Sequence, residues 1–343
     1  MVNNKRLITG NEAVVEGALA AGAQVMFGYP ITPSTEILQG WINKATEDKK
    51  LKYLQTEDET SAGFAVIGAL LSGAKAFTAT AGPGNILMQD PLSMAENLRL
   101  PFVTIIMQRG GPSTGTVNFS QQEVNLSAFG GNGDGLRVVY SASTVLELYT
   151  LTAKSFSTAW KYRFPTFVLG DGHLAKITTE AKLIKPISTI VSKKIFENKK
   201  PVHLRNCYSS EESFGQKLRE NISDWHASIK HIAEFEKYML SGANEIIIAH
   251  GSVADACKDA VDILRPKNKI GLIRPITLNP FSPEIKLLAK KFKKIYIIES
   301  SLNQFSHIVK YELYGNNSKI VEFSKPAESF TSSEIVDFIR GTV

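Results

Sequence analysis

Between Gly10 and about Ile177, short apolar runs alternate with segments of helical period. This alternation is what most restricts the chain, because it predicts an α/β unit built on a parallel sheet. Helices are expected over Glu12 to Ala21 and Ser143 to Tyr162, and strands at Gln24 to Gly28, Lys52 to Gln55, Ala76 to Thr80, Phe102 to Met107 and Pro165 to Leu169. The first four strands run into Tyr29-Pro30-Ile31-Thr32-Pro33, Glu57-Asp58-Glu59, Ala81-Gly82-Pro83-Gly84-Asn85 and Gln108-Arg109-Gly110-Gly111-Pro112-Ser113-Thr114-Gly115. Open α/β sheets bind ligands at the carboxyl ends of their strands, so these four endings predict a site.

A second unit begins near Asn244. Strands at Glu245 to Ala249, Lys269 to Ile273 and Lys294 to Ile298 alternate with two helices, one opened and capped by Gly251-Ser252 and ending at Leu264, the other starting at Pro283. Arg274 to Phe281 reads as the loop between them, giving a compact βαβαβ unit of roughly a hundred residues. Before it, Lys- and Ser-rich sequence with Pro186 and Pro201 breaks the periodicity, and a helix is expected only around Asp224 to Tyr238. The chain therefore divides into residues 1–181, a connector at 182–241 and a smaller domain at 242–343.

Composition narrows the function classes. With 343 residues, 43% of them hydrophobic and 21% charged, the chain can bury about two cores, and no apolar run approaches the roughly 20 residues that cross a bilayer. Met1-Val2-Asn3-Asn4-Lys5-Arg6 leads into no secretory apolar core, so a cytoplasmic protein without a membrane partner is expected. The net charge of +6 sits largely in Lys182 to Lys200 and Lys286 to Lys294, which read as solvated faces and not as a nucleic-acid surface. Two cysteines, Cys207 and Cys257, are too few for a four-cysteine iron-sulfur site on this chain. No metal site is expected here, and any cluster must sit on a partner.

Within the strand-end motifs, Glu59 precedes Ala62, Gly63, Ala65, Val66, Gly68 and Ala69, whose small side chains at helical spacing let a flat ligand approach. An acid interacting with the helix dipole is the simpler alternative. Thr32, flanked by prolines, offers either a fixed hydroxyl or a cap for a helix starting around Pro33. The planar fork of Arg109 suits a carboxylate ligand or an interdomain or intersubunit ion pair. Gly82-Pro83-Gly84 either brings backbone close to a ligand or simply turns, and His173 and His250 receive no role.

Taken in order, these four motifs resemble those of the alpha subunit of 2-oxoacid:ferredoxin oxidoreductases. Arg274-Pro275-Ile276-Thr277-Leu278 with Pro280-Phe281 is similar to that family's second, transketolase-C-like domain. The resemblance covers nearly the whole chain apart from about residues 182 to 241. It implies an α/β thiamine-diphosphate pyrimidine-binding domain with a parallel sheet, joined to a smaller transketolase-C-like α/β domain. Glu59 stands at the family's Glu-x-x-Ala position, which implies that it is the catalytic carboxylate that hydrogen-bonds the cofactor's aminopyrimidine. Glu57 and Asp58 are left to cap or to be solvated. Pro30, Ile31, Thr32, Gly82 and Gly84 complete the implied cofactor contacts, and Thr32 and Arg109 meet the substrate.

The same resemblance implies a shared active site. A beta subunit would hold the diphosphate, Mg2+ and a 4Fe-4S cluster, with gamma and delta ferredoxin-like subunits as further partners. The implied activity is CoA-dependent oxidative decarboxylation of a 2-oxoacid, 2-oxoglutarate favoured, to acyl-CoA and CO2, with electrons passing to ferredoxin. The alternatives are a 2-oxoisovalerate or pyruvate enzyme, a split transketolase-like transferase, and a non-catalytic assembly paralogue. Two departures bear on this. Thr116-Val117-Asn118 stands where the family often continues with a residue and then Pro-Thr, so Asn118 replaces a threonine able to contact the substrate tail and leaves the acid open. Gly170-Asp171-Gly172 with Asn198 imitates a diphosphate signature, but residues 182–200 lack the helix and strand that signature needs, so it reads as accidental.

Overall fold

The computed structural model describes residues 5–183 and 203–342; Asn198 lies outside them. The first unit runs β1 (Arg6–Thr9), α1 (Gly10–Ala20), β2 (Val25–Gly28), α2 (Thr35–Glu47), β3 (Lys52–Gln55), α3 (Glu59–Leu71) and β4 (Ala76–Thr80). It continues through α4 (Pro83–Leu87), α5 (Gln89–Asn97), β5 (Val103–Gln108), α6 (Val124–Phe129), β6 (Val138–Ser141), α7 (Val145–Tyr162), β7 (Thr166–Asp171), α8 (Gly172–Lys176) and β8 (Thr178–Ala181). Then come α9 (Glu211–Ile232), β9 (Phe235–Tyr238), β10 (Glu245–Ile248), α10 (Gly251–Leu264), β11 (Ile270–Pro275) and β12 (Thr277–Asn279). The chain closes with α11 (Pro283–Ala289), β13 (Lys294–Glu299), α12 (Gln304–Glu312), β14 (Lys319–Ser324) and α13 (Ser332–Arg340).

A seven-stranded sheet carries the order β12-β6-β7-β5-β4-β2-β3, parallel except for β12. Its middle strands β4, β5, β6 and β7 are buried along their whole length, as parallel strands covered by helices on both faces must be. By contrast, β3 is an edge strand exposed throughout. The order of the sheet sets the carboxyl ends of β5, β4, β2 and β3 side by side. A second sheet, β14-β13-β10-β11-β9, is parallel except for β9 and forms the α/β core of the smaller domain.

Three sequence expectations need correction. The helix expected around Asp224 to Tyr238 is α9, which starts at Glu211 behind a Ser210 cap and ends at Ile232. It buries only a narrow stripe, Asn221, Trp225, Ser228 and Ile232, too sparse to read as periodicity among its lysines and serines. Phe235–Tyr238 is then not helix but a strand pairing antiparallel with β11. Arg274 to Phe281 is not simply a loop: β11 extends to Pro275, and Thr277–Asn279 pairs antiparallel with β6, so the smaller domain lends a strand to the larger sheet. Finally, Ser252 does not cap α10; its hydroxyl donates to Asp171 Oδ2 across the domain boundary at 2.6 Å.

The domains meet through buried polar contacts. Arg274, 3% exposed, donates to Glu147 at 2.6 and 2.9 Å, to Glu236 at 2.7 Å and to Ser143 Oγ at 2.9 Å. His250 is fully buried with Nδ1 2.9 Å from Ser141 Oγ, and burial pushes its imidazole down to about 3. No helix among the described residues is long and apolar enough to cross a membrane.

Candidate functional site

Four strand ends build one polar cluster. Asp58 caps α3 by accepting the Ser61 N–H at 2.7 Å, a bond that lowers its own carboxyl pKa. Glu57 is exposed and accepts from the Ser61 hydroxyl. With the helix start fixed by Asp58, Glu59 becomes its first residue and turns inward, 4% exposed. Its recorded side-chain partner is the Thr80 hydroxyl, at a long 3.4 Å. Burial raises the Glu59 carboxyl above the ordinary value, opposed by hydrogen bonds and by the charge of Arg109. The acid is thus poorly solvated.

Glycine is obligatory beside it. A Cβ on Gly84 would lie 2.0 Å from Thr80 Oγ1 and 2.3 Å from Glu59 Oε1. Gly82 takes a positive φ of 50°, and a Cβ there would meet Arg109 Nε at 2.7 Å. Arg109, 7% exposed, therefore lies across Gly82 and donates from Nη1 to the Thr32 carbonyl oxygen at 2.9 Å. Its Nε is buried without a partner, and no ion pair reaches it among the described residues, so the interdomain-pair alternative is not realised in this chain. Thr32 does not cap α2, which starts at Thr35 behind Ser34; instead Ile31 O accepts both the N–H and the hydroxyl of Ser34 at 2.9 Å. The Thr32 hydroxyl is free of that task.

The structure thus brings Glu59, Thr32, Arg109, Gly82 and Gly84 to one edge, with Pro30 and Ile31 half-buried beside them. Asn118 stands apart on the exposed segment after Gly115, its N–H donating to Thr116 Oγ1 at 3.4 Å. Asp171 of the Gly-Asp-Gly motif is buried and caps α8 through the N–H groups of His173 and Leu174.

One residue of the cluster has no counterpart in the sequence reading. Glu123, 4% exposed, accepts the N–H groups of Gly82 (2.9 Å) and Arg109 (3.1 Å) on Oε1 and Asn85 Nδ2 (3.1 Å) on Oε2. Burial pushes its carboxyl up to about 7, against those bonds and the Arg109 charge. Nothing local marks it: the residues after it, Val124-Asn125-Leu126-Ser127, alternate apolar with polar.

The cluster fits the pyrimidine end of thiamine diphosphate: a buried carboxylate, a glycine that lets this carboxylate and the Thr80 hydroxyl lie against its backbone, and an orphaned guanidinium nitrogen. The surface around it is apolar and open. Tyr29, Tyr53, Leu54, Phe64, Ile86 and Leu87 are exposed by 39% to 57% on the elements that carry the site. Two recesses of about 840 and 830 Å3 lie elsewhere, around Ser143, His173 and Asp255 and around Phe129, Phe281 and Tyr311.

Residues 16–239 match the family model for the thiamine diphosphate-binding region of pyruvate flavodoxin/ferredoxin oxidoreductases, and residues 243–328 match core domain II of pyruvate:ferredoxin oxidoreductase. The chain is 34% identical over 332 residues to 2-oxoglutarate synthase subunit KorA of Methanocaldococcus jannaschii, covering 88% of this chain and 89% of the relative. It is 31% identical over 327 residues to ketoisovalerate oxidoreductase subunit VorB of Methanothermobacter marburgensis, covering 89% of each. Among solved structures, it aligns with a 2-oxoglutarate:ferredoxin oxidoreductase from Magnetococcus marinus that has 2-oxoglutarate, coenzyme A and succinyl-CoA bound. The TM-score is 0.89 at 26% identity, over 99% of this chain but 65% of that one. A split-gene transketolase aligns at TM-score 0.60 and 11% identity, a likeness of fold alone.

Proposed function

The chain belongs to the family of alpha-type 2-oxoacid:ferredoxin oxidoreductase subunits with a thiamine diphosphate-binding domain, and from that membership we propose that it is one half of a CoA-acylating 2-oxoacid decarboxylase. The observation that carries this reading is the Glu59 carboxylate, buried at a helix start with a single long side-chain partner and glycine against it. Glu59 would hold the aminopyrimidine ring, with Gly82, Gly84, Pro30, Ile31 and Thr32 around it. When bound, thiamine diphosphate supplies the carbon nucleophile and electron sink that a 2-oxoacid decarboxylation needs. The raised carboxyl of Glu59 suits it to share a proton with a ring nitrogen. Arg109, with its tip fixed on Thr32 O and no ion pair to a carboxylate among the described residues, would orient the substrate carboxylate, and the Thr32 hydroxyl would meet substrate or cofactor.

The exposed apolar surface around the cluster supports a partner that closes it, a beta subunit carrying the diphosphate site, Mg2+ and the 4Fe-4S cluster, with gamma and delta ferredoxin-like subunits beyond it. Ferredoxin takes the electrons and coenzyme A the acyl group, in the cytoplasm. 2-Oxoglutarate is the favoured substrate, in keeping with the names of the Methanocaldococcus relative and the Magnetococcus structure. The ketoisovalerate relative favours a branched-chain 2-oxoacid as the second reading. The test is ferredoxin reduction by the reconstituted complex over a panel of 2-oxoacids. A preference for 2-oxoglutarate of at least about tenfold in kcat/KM is expected. No turnover with any 2-oxoacid overturns the enzymatic reading.

A further inference from the structure

The segment Gln121-Gln122-Glu123 is held from two sides. Toward the smaller domain, the Gln121 N–H donates to Ser300 O and the Ser300 N–H donates back to Gln121 Oε1, both at 3.0 Å, while Gln121 Nε2 reaches His250 O at 2.8 Å. Gln304 Nε2 donates to Gln122 O at 2.7 Å, and its Oε1 accepts the Asn125 N–H at 3.1 Å. On the other side, Glu123 stands at the cap position of α6 but makes no side-chain cap there; its carboxylate goes wholly to the strand-end loops. One oxygen, Oε1, takes the N–H groups of both Gly82 and Arg109.

Resting on the reading of Arg109 as the ligand of the substrate carboxylate, we propose that Glu123 is a positioning residue, which aims the Arg109 side chain by locking the Arg109 and Gly82 main chains to one oxygen. The Arg109 stem crosses Gly82 within the distance a Cβ would occupy, so any slip between the two loops moves the guanidinium directly. The opposite end is fixed by Thr32 O. Glu123 is thus the joint, and Gln121 and Gln304 connect that joint to the smaller domain. Reach, more than charge, is the property this task needs, because a single acceptor must span two N–H groups.

The two conservative substitutions separate reach from charge. In the assembled complex, Glu123→Asp keeps the charge and shortens the side chain by one methylene. It should raise KM for 2-oxoglutarate about tenfold with kcat within about threefold of wild type, and speed hydrogen exchange at the Gly82 and Arg109 amides. Glu123→Gln keeps the Oε1 acceptor for Gly82 and Arg109 at the same reach, while its amide nitrogen cannot accept from Asn85 Nδ2 and leaves that group to Ser127 Oγ; it should hold both readouts within about threefold of wild type. Unchanged KM and exchange in Glu123→Asp overturn the proposal, as does a Glu123→Gln variant impaired as badly as Glu123→Asp. If Glu123→Asp does not assemble, Gln304→Ala decides: a KM rise of about threefold at constant kcat supports the joint, and an unchanged KM overturns it. Arg109→Lys, run in parallel, separates the two readings. If it leaves KM unchanged, the ligand reading fails, and amide exchange alone judges Glu123; if it raises KM while Glu123→Asp does not, only the positioning role fails.

Discussion

Arg109 donates from Nη1 to the main-chain carbonyl oxygen of Thr32 at 2.9 Å, which ties the end of β5 to the proline-rich loop after β2. Because Thr32 contributes its carbonyl, its hydroxyl takes no part in the clamp. The two halves of one residue can therefore be tested separately.

Thr32→Val removes the hydroxyl, preserves the β-branched shape and leaves the carbonyl in place. Arg109 should stay where it is. If the hydroxyl meets substrate or cofactor, kcat/KM for the 2-oxoacid should fall about tenfold, the value of one hydrogen bond of about 1.4 kcal/mol. Initial-rate kinetics of the reconstituted complex check this, and wild-type kinetics would remove the hydroxyl from the site.

Glu59→Gln separates catalysis from folding. The carboxyl is raised by burial, so its charge is a cost to the folded chain, and the amide should leave the melting temperature unchanged or higher. Proton sharing with the cofactor would be lost. Ferredoxin reduction should fall at least about a hundredfold with the complex still assembled. Turnover near wild type would take the role away from Glu59.

The parts of the site that were legible in the sequence are local. Arg109 follows directly on a strand, and Thr32 and Glu59 lie four residues beyond one, where the α/β layer sets the edge before any contact is known. Glu123 was not legible, because its meaning lies in a closure that joins it to Gly82 and Arg109 from a segment pinned by Ser300 and Gln304. The same limit applied to the fold. Strand Thr277–Asn279 is short and finds its partner, Tyr140, in the other domain, so no local pattern announces it. Helix Glu211–Ile232 buries too narrow a stripe to be seen in full.

The buried Arg274 joins the domains with an ion pair on each side, to the partly exposed Glu147 and Glu236. Both acids hold its guanidinium firmly protonated in spite of burial. Arg274→Met would leave Glu147 and Glu236, both partly exposed, without their shared cation, at a cost of about 1–3 kcal/mol. Urea denaturation should record this as a lower midpoint, and a loss below about 1 kcal/mol would mean that the interface does not depend on the clamp.

Glu123 should also leave a mark on stability as a function of pH. Its carboxyl is raised from 4.5 to about 7 in the folded chain, mainly by burial; Arg109 is the charged neighbour that opposes the shift. Between those values the folded chain holds a proton that the unfolded chain has released. The stability this provides is complete below about pH 4.5 and is lost as pH rises through about 7. The shift corresponds to a loss on the order of 3 kcal/mol. Glu123→Gln mimics the protonated form at every pH and cannot lose it, whereas Glu59 and Asp171, also raised by burial, are present in both proteins and cancel. The stability of Glu123→Gln relative to wild type should therefore climb steadily from pH 4.5 to 7.5 in urea denaturation. A gap that stays constant over that range would mean that Glu123 does not hold its proton there, and that its three hydrogen-bond donors outweigh its burial.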